Sequence, residues 1–401
     1  METVSTTPSR WFDRRMGWDS RRVIGVDVAR GLAMVGMFGA HLHVRREVTV
    51  ADPSTYLGLV HGRSAILFAL LAGAALALVS GRSRPITGPA MVDLRLRTFV
   101  RATLLFALGG LLTMLGTPVR IILEAYAVLF VLMLPVLGWS ARRLWTAVGV
   151  LTVLGPVLTI GVRIALINLG VPLAGVWFVA FGEFYPVATW IVFPLAGLAL
   201  GRSDLRALRT QVGLVLGGSV AAVVGYSAGH QASTVRDRLA LAEFDPWSGF
   251  ELLPAGEALA PVPGWVLSAL LTADPHTGTP FEILGSGGFV IAVLGLCLMA
   301  VRGTGRYLLA PVAAVGSLSL TVYTVHVVAI RLLRDDIFAS SSLGFFAGFT
   351  VVALLAATAW RLTLGKGPLE RALGAVARRT ARAVGPGDPE PRELPLSREP
   401  D

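Results

Sequence analysis

The first long apolar stretch of the chain, residues 22–44, carries ionisable side chains that share one face of a helix. Asp27 lies one turn before Arg30, close enough to pair with it. His41 follows Arg30 by eleven residues, which is about three helical turns and roughly 16 Å along the axis. A charge at the centre of a membrane helix costs ~2.5 to 3.5 kcal/mol and usually faces a protein interior or a wet cavity. The spacing therefore predicts a polar line that runs from an ion pair to a histidine.

A histidine at the end of such a line could act as a general base or acid, because imidazole titrates near neutral pH. The alternative is that His41 lies at the membrane interface and hydrogen-bonds lipid headgroups. No metal is expected, since the sequence has no HxxxH spacing and a single cysteine, Cys297.

Other polar side chains are candidates for the same site. Ser319, Tyr323 and His326 recur at intervals of four and three residues and share a helix face. Such hydroxyls can also bond backbone carbonyls or a neighbouring helix, and Arg63 could face a substrate anion or lipid headgroups. The predicted catalytic set, with His41 as the base, is His41, Arg30, Asp27, His61, His326 and Glu124. The predicted substrate-binding set is Arg63, His276, Ser319 and Tyr323.

One loop between two apolar runs holds a cluster of arginines. Its members are Arg82, Arg84, Arg95, Arg97 and Arg101. Because a guanidinium fork matches phosphate oxygens, the cluster could hold the phosphates of a nucleotide-type donor. The alternative is the ordinary excess of positive charge in cytoplasmic loops. The sequence has no Walker motif, no GxGxxG after a strand and no GxSxG, so nothing in it favours ATP hydrolysis, dinucleotide binding or serine-hydrolase chemistry.

The composition is typical of a protein that spans a membrane many times. Of 401 residues, 54% are hydrophobic and 15% are charged, which is outside the range of an ordinary soluble domain. The predicted fold class is an all-α polytopic membrane protein with about ten transmembrane helices. The predicted spans are 23–44, 58–80, 98–116, 120–137, 144–168, 184–201, 212–229, 283–301, 309–331 and 343–363.

Charge patterning orients these spans. Arginines concentrate in alternate loops, so the positive-inside rule predicts cytoplasmic termini and a multi-pass protein of the plasma membrane. This topology accounts for the net charge of +10 without nucleic acid as a partner. The predicted organisation is a basic N-terminal segment 1–21, a transmembrane domain 22–363 with an outer loop 230–282, and a disordered cytoplasmic tail 364–401.

The opening RVIGVDVARGLA, residues 22–33, resembles the "R…DxxRGxA" start of multi-span membrane acyltransferases. That group includes the heparan-alpha-glucosaminide N-acetyltransferase-like bacterial membrane proteins and acyltransferase family 3. Members of family 3 have an arginine, ten residues and then a histidine in their first span, which here are Arg30 and His41. Residues 185–190 with 201–202, 275–280 and 317–323 are also similar, so the resemblance covers about 22–363.

The resemblance implies transfer of an acyl group, usually acetyl, from cytoplasmic acyl-CoA to a hydroxyl or amine of an extracytoplasmic glycan or glycolipid. It also implies that His41 is catalytic and that Arg30 is its functional partner. The sequence lacks the motif with a catalytic histidine that the lysosomal glucosamine acetyltransferases have before their second span, although His61 lies in that region. Which histidine performs the chemistry therefore stays open at this point.

Two other functions fit a helical bundle with a polar interior. A proton-coupled transporter or flippase would also use outer histidines and buried charges. A non-catalytic membrane scaffold does not explain why Asp27 and Arg30 are kept inside a span. The sequence is compatible with an oligomer in each case.

Overall fold

The computed structural model describes residues 8–19, 22–42, 51–182, 184–239, 263–333, 337 and 343–384. Parts of four predicted regions therefore lie outside the described residues. These are the N-terminal segment at 1–7 and 20–21, the end of the first span at 43–44, the outer loop at 240–262 and the tail at 385–401.

The described part of the chain is built from helices and contains no strand. Its α-helices are α1 (Pro8–Arg15), α2 (Ile24–Leu42), α3 (Arg63–Val79), α4 (Pro89–Thr113), α5 (Leu123–Met133), α6 (Ala141–Asn168), α7 (Val176–Phe181), α8 (Val187–Trp190), α9 (Val192–Leu200), α10 (Leu208–Arg238), α11 (Pro263–Leu270), α12 (Pro280–Ala300), α13 (Gly305–Leu308), α14 (Ala310–Ser317), α15 (Ser319–Leu332), α16 (Leu343–Leu364) and α17 (Pro368–Val384). Short 3₁₀ helices cover Pro53–Val60 and Pro135–Gly138.

Six helical segments are long and apolar enough to cross a membrane. They are Thr55–Val79, Pro89–Thr113, Ala141–Leu166, Leu208–Arg238, Pro280–Ala300 and Leu343–Leu364. The pair α14 and α15 makes a seventh if it is counted as one broken span. The all-helical class and the multi-pass membrane character are thus supported, while the number ten and the cytoplasmic location of the termini stay predictions.

Four of the ten predicted spans are not among these six segments. The fourth is reduced to α5, which has eleven residues. The sixth is divided at Ile191 into the short helices α8 and α9. The first is the continuous helix α2, but Asp27, Arg30 and His41 lower its mean hydropathy, and it is not among the six segments.

The predicted ninth span is bent by 82° at Leu318, where α14 ends and α15 begins. Helix α14 crosses α2 at very short range. A Cβ atom on Gly316 would overlap the carbonyl oxygen of Asp27, and one on Gly31 would overlap that of Val312. Small residues permit such close backbone contact in membrane helices. This packing places the break in the ninth span next to the polar line of α2.

Helix α17 lies within residues 364–401, which the sequence predicted to be a disordered tail. Its Ala377 and Ala381 recur at helical spacing and are buried, while the helix packs against α4 and α15. The structure therefore differs from the prediction over this stretch. The reason is that this helix has an apolar stripe that packs on neighbouring helices. The sequence analysis missed the stripe because the tail as a whole is rich in charged residues and proline.

Candidate functional site

The break between α14 and α15 exposes backbone groups that a continuous helix would satisfy internally. The N–H groups of Leu320 and Thr321 donate to Oε1 of Glu370 at 2.9 and 3.1 Å, and the Thr321 hydroxyl donates to Oε2 at 2.6 Å. Broken helices occur at membrane depth where they line a protein cavity. Here Ser317 and Ser319, which flank the break, line such a cavity.

This first cavity, which we call the arginine cavity, has a volume of about 300 Å³. Its polar lining comprises Arg30, Arg101, Tyr126, Ser317, Ser319, Tyr323 and Glu370. Arg30 reaches it from α2 and Arg101 from α4, so two guanidinium groups face one carboxylate. Net positive charge at a cavity wall attracts anionic groups such as phosphate.

Arg30 is held by the ion pair that the sequence predicted. Its Nη1 lies 3.5 Å from Oδ1 of Asp27 and 3.5 Å from the carbonyl oxygen of Gly316. Asp27 also accepts a hydrogen bond from Nε of Arg22 at 2.6 Å. One buried carboxylate thus joins two arginines, and its second oxygen fixes the position of Arg30 at the cavity wall.

A second cavity, which we call the histidine cavity, has a volume of about 320 Å³. Its polar lining comprises His41, His61, Ser64, Arg120, Tyr185, His276 and Tyr323. Three of the predicted site histidines therefore meet in one space although they are far apart in the sequence. The Arg120 guanidinium lies 4.6 Å from the ring centre of Phe184, a cation–π contact at the same cavity.

The two cavities share part of their walls. Met37, Ile122 and Tyr323 line both. The Tyr323 hydroxyl accepts a hydrogen bond from the Ile122 N–H at 3.3 Å, which leaves the hydroxyl's own hydrogen to be donated to another group. Met37 lies between Arg30 and His41 on the same face of α2, seven and four residues from them. The polar line predicted on α2 thus runs along both cavities. Met37, Ile122 and Tyr323 form the wall between them.

His41 makes direct contact with His326 of α15. Nδ1 of His41 lies 3.0 Å from Nε2 of His326, and the ring planes differ by 6°. His326 is buried, and the ring of Phe38 lies beside it at 5.1 Å between centres. This contact holds the His41 ring at the wall of the histidine cavity.

His276 is positioned by a carboxylate that the sequence analysis did not include. Oε1 of Glu282 accepts from the His276 N–H at 2.7 Å, and Oε2 accepts from the Gly278 N–H at 2.6 Å. These bonds close a tight turn in which His276 has a positive φ of 70°. The His276 ring packs edge-on against Tyr185.

Four predicted catalytic or substrate-binding residues line neither cavity. Asp27 and His326 contact the cavity residues Arg30 and His41, respectively. Glu124 and Arg63 contact other helices. Glu124, predicted to orient His41, accepts a hydrogen bond from the Thr113 hydroxyl at 3.1 Å between α4 and α5. Arg63, predicted to bind substrate, donates from Nε to the Tyr226 hydroxyl at 2.6 Å. Helix rotation explains both, because a side chain at the right depth can still point towards a neighbouring helix.

Two members of the arginine cluster make structural contacts through their guanidinium groups. Arg97 pairs with Asp93 at 2.9 Å, and Arg95 donates to the carbonyl of Leu134 at 3.0 Å. Of the five described members, Arg101 lines the arginine cavity and the other four do not.

Sequence reasoning missed several residues of the two cavities. Arg120 was visible as a cation at a span end without an acidic neighbour, and that isolation was the available signal. Tyr185 lay in the stretch 185–190, which the sequence analysis used only for a family resemblance. Glu370 lay in the predicted tail and gave no signal. Within the described residues, no group of three or more His, Cys, Asp or Glu side chains is placed to hold a metal ion.

Comparison with known proteins found no match. No family model matches the chain, and no curated protein matches it. The functional argument therefore depends on the geometry of the two cavities and on the residues that separate them.

Proposed function

We propose that the protein transfers an acyl group, most simply acetyl, from cytoplasmic acyl-CoA to a hydroxyl or amine on an extracytoplasmic glycan or glycolipid. The observation that carries the proposal is the pair of cavities that share Met37, Ile122 and Tyr323 as a wall. One cavity presents arginines suited to a phosphate-bearing donor, and the other presents histidines suited to proton transfer. Such a division is what a reaction across a membrane requires, because the charged donor stays on one side.

The donor would enter at the arginine cavity. Arg30 and Arg101 would hold the phosphates of the nucleotide part, since Arg forms charge-assisted hydrogen bonds to phosphate oxygens. The thin pantetheine arm would pass Met37, whose flexible thioether side chain adapts to different shapes. Roughly 16 Å of α2 separates Arg30 from His41, so the thioester would arrive near the histidine cavity while the nucleotide stays behind.

The chemistry would depend on the contact between His41 and His326. If His41 donates its Nδ1 hydrogen to Nε2 of His326, its own Nε2 keeps a lone pair for the acceptor. The Nε2 atom removes the acceptor's proton as the acceptor oxygen or nitrogen forms a bond to the thioester carbonyl carbon. The carbon–sulfur bond breaks, and the CoA sulfur takes the proton from His41. The Tyr323 hydroxyl would donate to the carbonyl oxygen while negative charge develops on it.

A carrier function has one specific observation in its favour. The bent pair α14 and α15 places a helix break beside a cavity, as many transporters do at their substrate sites. A proton-coupled transporter or flippase would use the same two cavities as alternating access points. The two functions differ in one measurable respect, because an acyltransferase turns over in detergent without any gradient.

The test is acyl transfer by the detergent-purified protein, with labelled acetyl-CoA and a panel of sugars and amino sugars. We expect transfer by the wild type, and a loss of at least roughly 10²-fold in His41→Ala, because general base catalysis contributes 10²–10⁴-fold. His230→Ala is the matched control, since His230 is exposed on α10 and lines neither cavity.

Near-normal turnover in His41→Ala would remove His41 from the mechanism. Absence of both binding and turnover with every acyl-CoA tested would instead favour the carrier function. Equal thermal stability of the two histidine variants would show that loss of activity in His41→Ala is not a loss of folding.

A further inference from the structure

A third cavity lies on the other side of His326 from His41 and opens between two helices. It has a volume of about 520 Å³ and is lined by α15, α16 and their neighbours. We call it the apolar groove. Apart from Thr321 and His326, its lining residues are apolar and include Val325, Ala329, Leu333, Val352, Ala356 and Trp360.

The groove is long because it follows a stripe of residues on each of the helices α15 and α16. On α15 the stripe runs from Leu318 to Leu333, which is about four helical turns and roughly 22 Å. On α16 the facing stripe has small residues, including Gly348, Ala353 and Ala356, where larger side chains would close the gap. A slot of this length with an apolar lining suits a hydrocarbon chain.

Its surroundings define what can occupy it. Helix α16 is one of the six segments apolar enough to cross a membrane, and only 6% of its most apolar window is buried in the protein. A groove along such a helix opens to the hydrocarbon region of the bilayer, where water and polar solutes are excluded. The occupant is therefore the hydrocarbon chain of a membrane lipid.

The groove is connected to the proposed chemistry through one side chain. His326 lines the groove and its Nε2 contacts Nδ1 of His41, which lines the histidine cavity. Burying a histidine in an otherwise apolar wall costs desolvation free energy, which an apolar side chain at the same position would not cost. A lipid chain in the groove would therefore lie against the histidine that contacts His41.

We infer that the apolar groove binds the hydrocarbon chain of a lipid-linked acceptor, so that the acceptor is a glycolipid presented from the plane of the membrane. The role of the lipid's polar head as the acceptor rests on the proposed acyl transfer. Binding of the lipid's hydrocarbon chain in the groove does not depend on it. The groove would select acceptors by their chain and the histidine cavity by their head.

The test uses an alkyl glucoside with a long chain that carries a diazirine, mixed into vesicles that contain the full-length protein. After irradiation, we expect the labelled residues to cluster on Val325, Ala329, Val352 and Ala356. Ala356→Phe should fill the groove and lower this labelling at least fivefold. Leu355→Phe is the matched control, because Leu355 is 68% exposed on α16 and does not line the groove. Val325→Phe fills the groove from the opposite helix and serves if Ala356→Phe fails to fold.

A phosphatidylcholine probe with the same photoreactive chain separates a specific site from ordinary surrounding lipid. We expect labelling of the groove by the glucoside to exceed that by phosphatidylcholine several-fold. Equal labelling by both probes, or labelling that neither filling variant reduces, would overturn the inference. Groove-specific labelling in a protein that transfers no acyl group would retain the lipid site while refuting the proposed function.

Discussion

Nδ1 of His41 and Nε2 of His326 are separated by 3.0 Å, although the two residues are 285 positions apart in the chain. Two imidazole nitrogens at this distance share one hydrogen, so one ring donates and the other accepts. The arrangement is the same in kind as a base that is oriented by a third group in nucleophilic catalysis. His326 would thus be a positioning residue for His41. It contacts His41 and lines the apolar groove, but it does not line the histidine cavity where the acceptor would bind.

The first prediction concerns this pair. His326→Ala should lower kcat for acyl transfer by roughly 10²-fold, with less effect on KM for acetyl-CoA, because a correctly oriented base contributes 10²–10⁴-fold. His326→Gln offers an amide oxygen to the Nδ1 hydrogen of His41 and should recover part of the loss. Steady-state kinetics of the two variants measure this. If both variants lose kcat equally while their melting temperatures match the wild type, the hydrogen bond is not the relevant contact.

The second prediction concerns the wall between the cavities. Tyr323→Phe should lower kcat by about 10²-fold, as removal of one hydrogen-bond donor to a developing oxyanion does in other enzymes. Tyr126→Phe is the control, because the Tyr126 hydroxyl donates to the carbonyl of Ala65 at 2.8 Å and has a structural acceptor. Single-turnover rates with labelled acetyl-CoA distinguish the two. A larger loss in Tyr126→Phe would contradict the role given to Tyr323.

The third prediction separates one arginine from its cluster. Arg101→Gln should weaken acetyl-CoA binding roughly tenfold or more, since hydrogen bonds to charged groups are worth ~1.5 to 3 kcal/mol. Arg97→Gln should change it little, because Arg97 is paired with Asp93. Equilibrium binding of labelled acetyl-CoA to the purified variants measures both constants. Equal weakening in the two variants would mean that the whole cluster acts as a diffuse charge.

The fourth prediction concerns stability. Gly316→Ala should destabilise the protein by about 1–3 kcal/mol, because its Cβ would overlap the carbonyl oxygen of Asp27 and push α14 away from α2. Gly213→Ala on α10 is the control, since a Cβ there has no neighbour within 4 Å and alanine favours a helix. Melting temperatures in the same detergent give the comparison. An unchanged melting temperature for Gly316→Ala would show that the α2–α14 contact can relax.

Local spacing in the sequence determined the features that belong to a single helix. The pairing of Asp27 with Arg30 and the shared face of Arg30 and His41 follow from the helical period, which does not depend on neighbours. The apolar composition likewise determined the all-helical membrane character, because only helices or closed barrels satisfy backbone groups in lipid.

Contacts between helices were decided only by the tertiary structure. His41 contacts His326 because the chain breaks at Leu318 and α15 turns back towards α2. Arg101 faces a cavity while Arg97, one turn earlier, pairs with Asp93, so the rotation of α4 selected one of the three clustered arginines that this helix carries. Depth in the membrane can be estimated from the sequence, but the direction in which a side chain points is set by which helix packs beside it.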